Sequence, residues 1–334
     1  MTLDLPHPRN TYDLMGGEEP EQALLAAITG ERLHHAWLLT GPEGVGKATL
    51  AYRAARRLLG SQPSPTHGVL GVAPDDPVAR LVAGRAHPDL LVLQLDPEDG
   101  KTRKHIPVDE ARQLPEFFAK TPAVAAWRVA IVDAADDLNP SGANALLKIL
   151  EEPPERGMIL LACHRPGSLL ATIRSRCRIL RFGAPPTEQT AAWVAERTSI
   201  GAREAAELAT MARGAPGRAW SLASAGALEA DASARALLAA LPGADPAAML
   251  ALADGFRGSQ GAERFALVMD RLARRVHESA TARALAGEGA ELDGWAEAFE
   301  FLASLPDQVE AVNLDRNDAF FTALARLKAV AAEC

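Results

Sequence analysis

Apolar residues in the first half of the chain collect in short runs bounded by turn-forming residues. AWLLT at 36–40, LLVLQL at 90–95, RVAIVD at 128–133 and MILLAC at 158–163 each have the length and composition of a buried strand. The intervening stretches read differently. ATLAYRAARRLL at 48–59 is rich in strong helix formers. The Pro/Gly/Ser-rich interval at 60–77 breaks that pattern, and DEARQLPEFFA at 109–119 predicts one further helix, with Pro115 counting against it. In NPSGANALLKILEEPP, Asn139 suits an N-cap, Pro140 suits the first helical position, and Pro153 with Pro154 ends the helix. Strands alternating with helices predict an α/β fold built on a parallel sheet covered on both faces.

After RILRF at 178–182 the pattern changes to alanine-rich stretches with almost no strand character. Phe265, Met269, Leu272 and Val276 fall on one helical face, as do Phe320, Leu324 and Leu327. Gly214, Pro216 and Gly217 punctuate this half, and Gly226 offers a second boundary. The expected division is 1–184, 185–225 and 226–334, with no repeat of fixed period.

Composition narrows the class. The 334 residues, 48% hydrophobic, suffice for two or three domains with real cores. No apolar run approaches the roughly 18 residues of a bilayer span, and MTLDLPHPRNTYD lacks the basic-then-apolar pattern of a secretory leader. A cytoplasmic protein with no membrane partner is the expectation. Cys163, Cys177 and Cys334 lie too far apart for a disulfide framework or a zinc site and read as buried small residues. A net charge of −8 gives no global basic footprint, so DNA contact would be local or made within an assembly.

The candidate chemistry lies in GPEGVGKATL at 41–50. Gly41, Gly44 and Gly46 let the backbone fold so that N–H groups converge on phosphate oxygens, and Lys47 adds a positive charge. An apolar strand before and a helix after are the context this loop requires. The hydroxyl residue that normally follows the lysine binds Mg²⁺, but Ala48 has none, and Thr49, rotated by about 100° along a helix, is expected to point elsewhere. Asp133 ends its strand where a metal-binding carboxylate belongs. Ala134 follows where many such enzymes carry a glutamate base, while Asp136 and Asp137 lie beyond the strand end. The site is therefore expected to hold ATP without hydrolysing it, with Mg²⁺ bound weakly or absent.

Taken in order, HPRNTYDLMGGE, LHHAWLLTGPEGVGKATLA, HPDLLVL, IVDAADDLN, SGANALLKILEEPPE and ATIRSRCRILRF closely resemble the clamp-loader branch of the AAA+ ATPases over most of the first 185 residues. ANALLKILEEPP followed by SRC carries the resemblance more specifically than the phosphate loop, and GAPGRAWSL at 214–222 is the one local match beyond. The resemblance implies a RecA-like domain, a small helical lid and a helical collar through which five subunits form a ring. It implies gamma/tau and delta clamp-loader subunits as partners, with the sliding clamp and primed DNA in the complex. It also implies that Arg176, the arginine of SRC, reaches the ATP of an adjacent subunit, and that Arg218 contacts phosphates from the lid.

The four-cysteine zinc module of many relatives is not carried over, because residues 61–90 contain no cysteine. Glu151 and Glu152 receive no chemistry. His34 and His35 are expected on opposite faces of a strand, which makes a metal pair improbable. Two rivals stay open: a self-sufficient ATPase or phosphotransferase using an acid such as Asp136 as base, and a sequence-independent DNA binder using KTRKH at 101–105, more simply read as a solvated loop.

Overall fold

The structure, a computed structural model, describes residues 5–30, 33–95, 105–241, 243, 245–258, 260–287 and 292–333. Lys101 to Lys104 of the basic run, and Cys334, lie outside the described residues. Two compact units divide the described residues, the larger ending at Trp220 and the smaller beginning at Ser221.

In the larger unit, helix α1 (Glu18–Thr29) precedes strand β1 (Ala36–Thr40) and helix α2 (Lys47–Leu58). Helix α3 (Pro77–Ala83), β2 (Leu90–Gln94), α4 (Val108–Ala111), α5 (Gln113–Phe118) and β3 (Arg128–Asp133) follow. Next come α6 (Pro140–Glu151), β4 (Gly157–Cys163), α7 (Ala171–Arg176) and β5 (Arg178–Arg181). The five strands pair in parallel in the order β2-β3-β4-β1-β5. Alternation along the strands sends Trp37, Leu39, Val129, Ile131, Met158 and Leu160 into one apolar cluster with α1 and α2. Ala36, Leu38, Ala130, Val132, Ile159 and Leu161 enter another with α5 and α6. Both faces are thus covered, as a parallel sheet requires. A parallel sheet covered on both faces, followed by helices alone among the described residues, is the expected α/β arrangement.

Local chemistry explains the elements. Asn139 caps α6 by accepting from the N–H of Gly142 at 2.8 Å, and Pro140 opens the helix. The single helix expected at 109–119 is instead two, α4 and α5, interrupted at Arg112. A proline inside a continuous helix would lose a hydrogen bond and clash with the carbonyl four residues back. Restarting at Gln113 places Pro115 in a first turn, where no N–H is needed.

Helices α8 (Thr187–Arg197), α9 (Ala202–Met211) and α10 (Pro216–Ser224) follow β5, the division between the units falling within α10. The second unit holds α11 (Ala227–Ala239), α12 (Pro246–Asp254), α13 (Gly261–Leu285), α14 (Leu292–Val312) and α15 (Arg316–Glu333). Phe265, Met269, Leu272 and Val276 of α13 and Phe320, Leu324 and Leu327 of α15 all lie in its core, as their spacing predicted. No helix among the described residues is long and apolar enough to cross a membrane.

Candidate functional site

The C-terminal ends of β2 and β3 and the loop after β1 open onto a cavity of about 670 Å³ within the larger unit. The loop from β1 to α2 forms its floor. Gly44 and Gly46 have φ of +78° and +100°, backbone that side chains rarely adopt. A Cβ at Gly44 would also strike the backbone nitrogen of Arg218, because α10 begins directly on the loop, with the N–H of Gly217 donating to the Gly44 carbonyl at 2.8 Å. At Gly46, the N-cap of α2, no side chain caps the helix, so its positive end is left to the loop region.

Lys47 is 3% exposed. Its Nζ donates to the carbonyls of Gly41 at 2.7 Å and Pro42 at 2.6 Å. Burial brings its pKa down to about 8, against the opposing pull of the Asp133 and Asp136 carboxylates. Ala48 and Thr49 both border the cavity, so the helical step does not take Thr49 off the wall. The cavity wraps around the first turn of α2.

Opposite stands the end of β3. Burial pushes the Asp133 carboxyl above the usual range, partly offset by His164 and Lys47. Ala134, 3% exposed, presents a methyl group at the cavity wall. Asp136 is committed elsewhere: its carboxylate accepts from the N–H groups of His164 at 2.9 Å and Arg165 at 3.2 Å, and its side chain is 1% exposed. Burial pushes its pKa up, but hydrogen bonds from the N–H of His164, its own N–H and the Cys163 thiol, with the His164 ring nearby, pull it further down, to a net value below the carboxylate norm. Asp137 does border the cavity, and burial raises its pKa.

Two parts of the site escaped the sequence reading. His164, just past β4, borders the cavity with its Nδ1 buried and without a hydrogen-bond partner. Its signal was its place at the C-terminal end of a strand in an open parallel sheet, where ligands of such sheets collect. The other is the N-terminal segment, whose His7, Thr11, Leu14 and Met15 form a wall. Arg56 of α2 fixes that segment: its guanidinium lies 4.2 Å from the centroid of the Tyr12 ring and donates to the carbonyls of Arg9 and Thr11. Trp193 and Arg197 of α8, with Pro216 and Gly217 of α10, border the cavity too.

Of the predicted site residues, Gly44, Gly46, Lys47, Ala48, Thr49 and Asp133 border one cavity, and Gly41 supplies a carbonyl to Lys47. Arg218 is not among the residues that border it, although its backbone nitrogen abuts Gly44. Arg176 stands apart from the cavity, at the end of α7, paired with Glu151 at 3.0 Å. His34 and His35 do not alternate across a strand: their rings stack at 4.5 Å, because β1 begins only at Ala36.

These groups fit a nucleotide's phosphates better than its metal. Glycine backbone without room for a Cβ, a buried ammonium and an uncapped helix end suit an anion, and the volume suits a small-molecule ligand. For Mg²⁺, the hydroxyl is missing at Ala48, which leaves Thr11 and Thr49 as the hydroxyl residues of the wall beside the Asp133 carboxyl.

Comparison with known proteins places the chain among replication subunits. It is 36% identical over 198 residues to DNA polymerase III subunit delta' of Pseudomonas aeruginosa, covering 59% of this chain and 58% of that protein. It is 35% identical over 179 residues to DNA polymerase III subunit gamma/tau of Mycobacterium bovis, covering 54% of this chain and 29% of that protein. The chain thus matches less than two thirds of the length of these curated relatives. A solved Thermotoga maritima protein described as DNA polymerase III gamma subunit-related superposes with a TM-score of 0.47 at 17% identity, covering 94% of this chain and 99% of that one. The family described as DNA polymerase III, delta subunit, matches residues 17–186, more than half of the 334, and this chain belongs to it.

Proposed function

We propose that the chain is the non-hydrolysing subunit of a bacterial clamp loader, working in the cytoplasm beside gamma/tau and delta subunits to place the sliding clamp on primed DNA. It holds ATP without cleaving it and lends Arg176 to the nucleotide of an adjacent ATPase subunit, where a guanidinium neutralises charge developing on the γ-phosphate. In this reading residues 185–225 serve as the lid, with Arg218, whose backbone nitrogen abuts Gly44, as its phosphate-contacting arginine, and residues 226–334 serve as the collar.

One observation carries the proposal. Where a catalytic base belongs, the wall presents the methyl group of Ala134, while the neighbouring Asp136 is spent on two backbone N–H groups. A carboxylate that is buried, doubly hydrogen-bonded and depressed in pKa is a poor proton acceptor. The position of Arg176 away from the chain's own cavity adds support, since it leaves that arginine to act, if at all, on another subunit.

Titrating the purified chain with labelled ATP, with and without Mg²⁺, is expected to show binding that depends little on the metal and is lost in Lys47→Ala. Steady-state assays of the isolated chain are expected to show no turnover. Robust turnover would favour the rival reading, a self-sufficient ATPase, which now has to run through Asp137, the acid that does border the cavity. Asp137→Asn would then abolish it. In the reconstituted loader, Arg176→Ala is expected to leave assembly intact and slow hydrolysis. Unchanged turnover at saturating clamp and DNA would remove the trans role.

A further inference from the structure

Arg176 is not loose in its own chain. Its Nη1 donates to the carbonyl of Thr172 at 3.0 Å, and its Nη2 pairs with Oε1 of Glu151 at 3.0 Å. Arg176 ends α7 and Glu151 ends α6, so the pair forms where these two helices finish. The neighbouring arginines take other partners: Arg174 donates to the Pro166 carbonyl at 2.6 Å, and Arg178 lies 4.8 Å from the centroid of the Trp37 ring.

The pair is too exposed to matter much to folding, with side chains 36% and 53% accessible, and ion pairs of that kind contribute little stability. Its effect is on direction. An arginine on a half-exposed surface samples many rotamers, whereas anchors from two different helices restrain its planar guanidinium. Five N–H donors are available and two contacts are made here, so donors remain for a phosphate oxygen without either anchor being released.

We propose that Glu151 is a positioning residue for Arg176, holding the guanidinium oriented for the nucleotide of the adjacent subunit. The inference rests on the trans reading of Arg176. Pre-orientation lowers the entropy lost when the charge is engaged, so its absence is felt in kcat rather than in ATP binding by the neighbour.

The test is a double-mutant cycle in the fully reconstituted loader, with all other subunits unaltered. Glu151→Ala is expected to lower kcat about fivefold, the scale of an exposed charge pair, with KM for ATP and complex size unchanged. Glu151→Gln, which keeps an acceptor oxygen, is expected to recover most of that loss. In an Arg176→Ala background, Glu151→Ala is expected to do nothing further. If Arg176→Ala is slow but Glu151→Ala turns over at the unaltered rate or faster, the positioning role is gone and the trans reading survives. Further slowing by Glu151→Ala in the Arg176→Ala background, or loss of assembly, marks a structural role and overturns the inference. If Arg176→Ala itself turns over normally, both fall.

Discussion

Lys47 sits in an uncomfortable place for a charge, buried and answered by two carbonyl oxygens of its own loop. Burial lowers its pKa to about 8, so above that pH the lysine loses its charge sooner than an ordinary lysine does. A bound triphosphate favours the charged form. Nucleotide affinity is therefore expected to hold below pH 8 and to fall above it, by up to about tenfold per unit, because proton uptake then accompanies binding. Isothermal titration at pH 7, 8 and 9 in buffers of different ionisation enthalpy reads both the fall and the proton uptake. Ala134 supports a second expectation: Ala134→Glu alone does not restore hydrolysis, because Ala48 still offers no metal ligand. Vigorous turnover from that single change would show the Mg²⁺ argument to be wrong.

The elements that present these residues are held by identifiable contacts. Losing the Asn139 cap exposes the start of α6, and Asn139→Ala is expected to cost about 1 kcal/mol, seen as a lower urea midpoint at unchanged slope. Asp89 matters more. Completely buried, it accepts from the N–H groups of Ala123, Val124 and Ala125 at 2.7, 2.8 and 3.0 Å and from Arg128 Nε at 3.3 Å, pinning the turn that leads into β3. Asp89→Ala strands those donors and is expected to cost about 3 kcal/mol or more. In the sequence, LLVLQL was legible as a strand but the role of the aspartate before it was not, since nothing local shows that its carboxylate organises a turn more than thirty residues on. The proline in α5 was similarly half legible: it announced a break, but its tolerance of a first turn moved the break to Arg112.

Across the chain, the apolar clusters fall cleanly into the two units. The clusters on the two faces of the sheet lie within residues 24–215, and the remaining cluster lies within 230–327. A fragment of residues 1–225, ending after α10, accordingly keeps an undivided core of its own and is expected to unfold cooperatively, with a near-ultraviolet circular dichroism signal that melts in one step. A molten fragment would show that its packing needs the C-terminal helices.

Four apolar strand runs with helix-forming stretches between them, a glycine loop after a strand, and two alanines in place of reactive groups were all readable from residue order. Such features depend on neighbours one to four positions away, and short-range periodicity records them. Which acid meets the cavity was not readable, since Asp136 and Asp137 are adjacent and only the N–H groups of residues 164 and 165 turn the first of them aside. The same holds for the wall held by Arg56, whose acceptors lie 45 and 47 residues earlier, and for the pairing of Glu151 with Arg176. Long side chains find partners only after the backbone has brought distant segments together, so the chemistry of this pocket was settled by packing rather than by order along the chain.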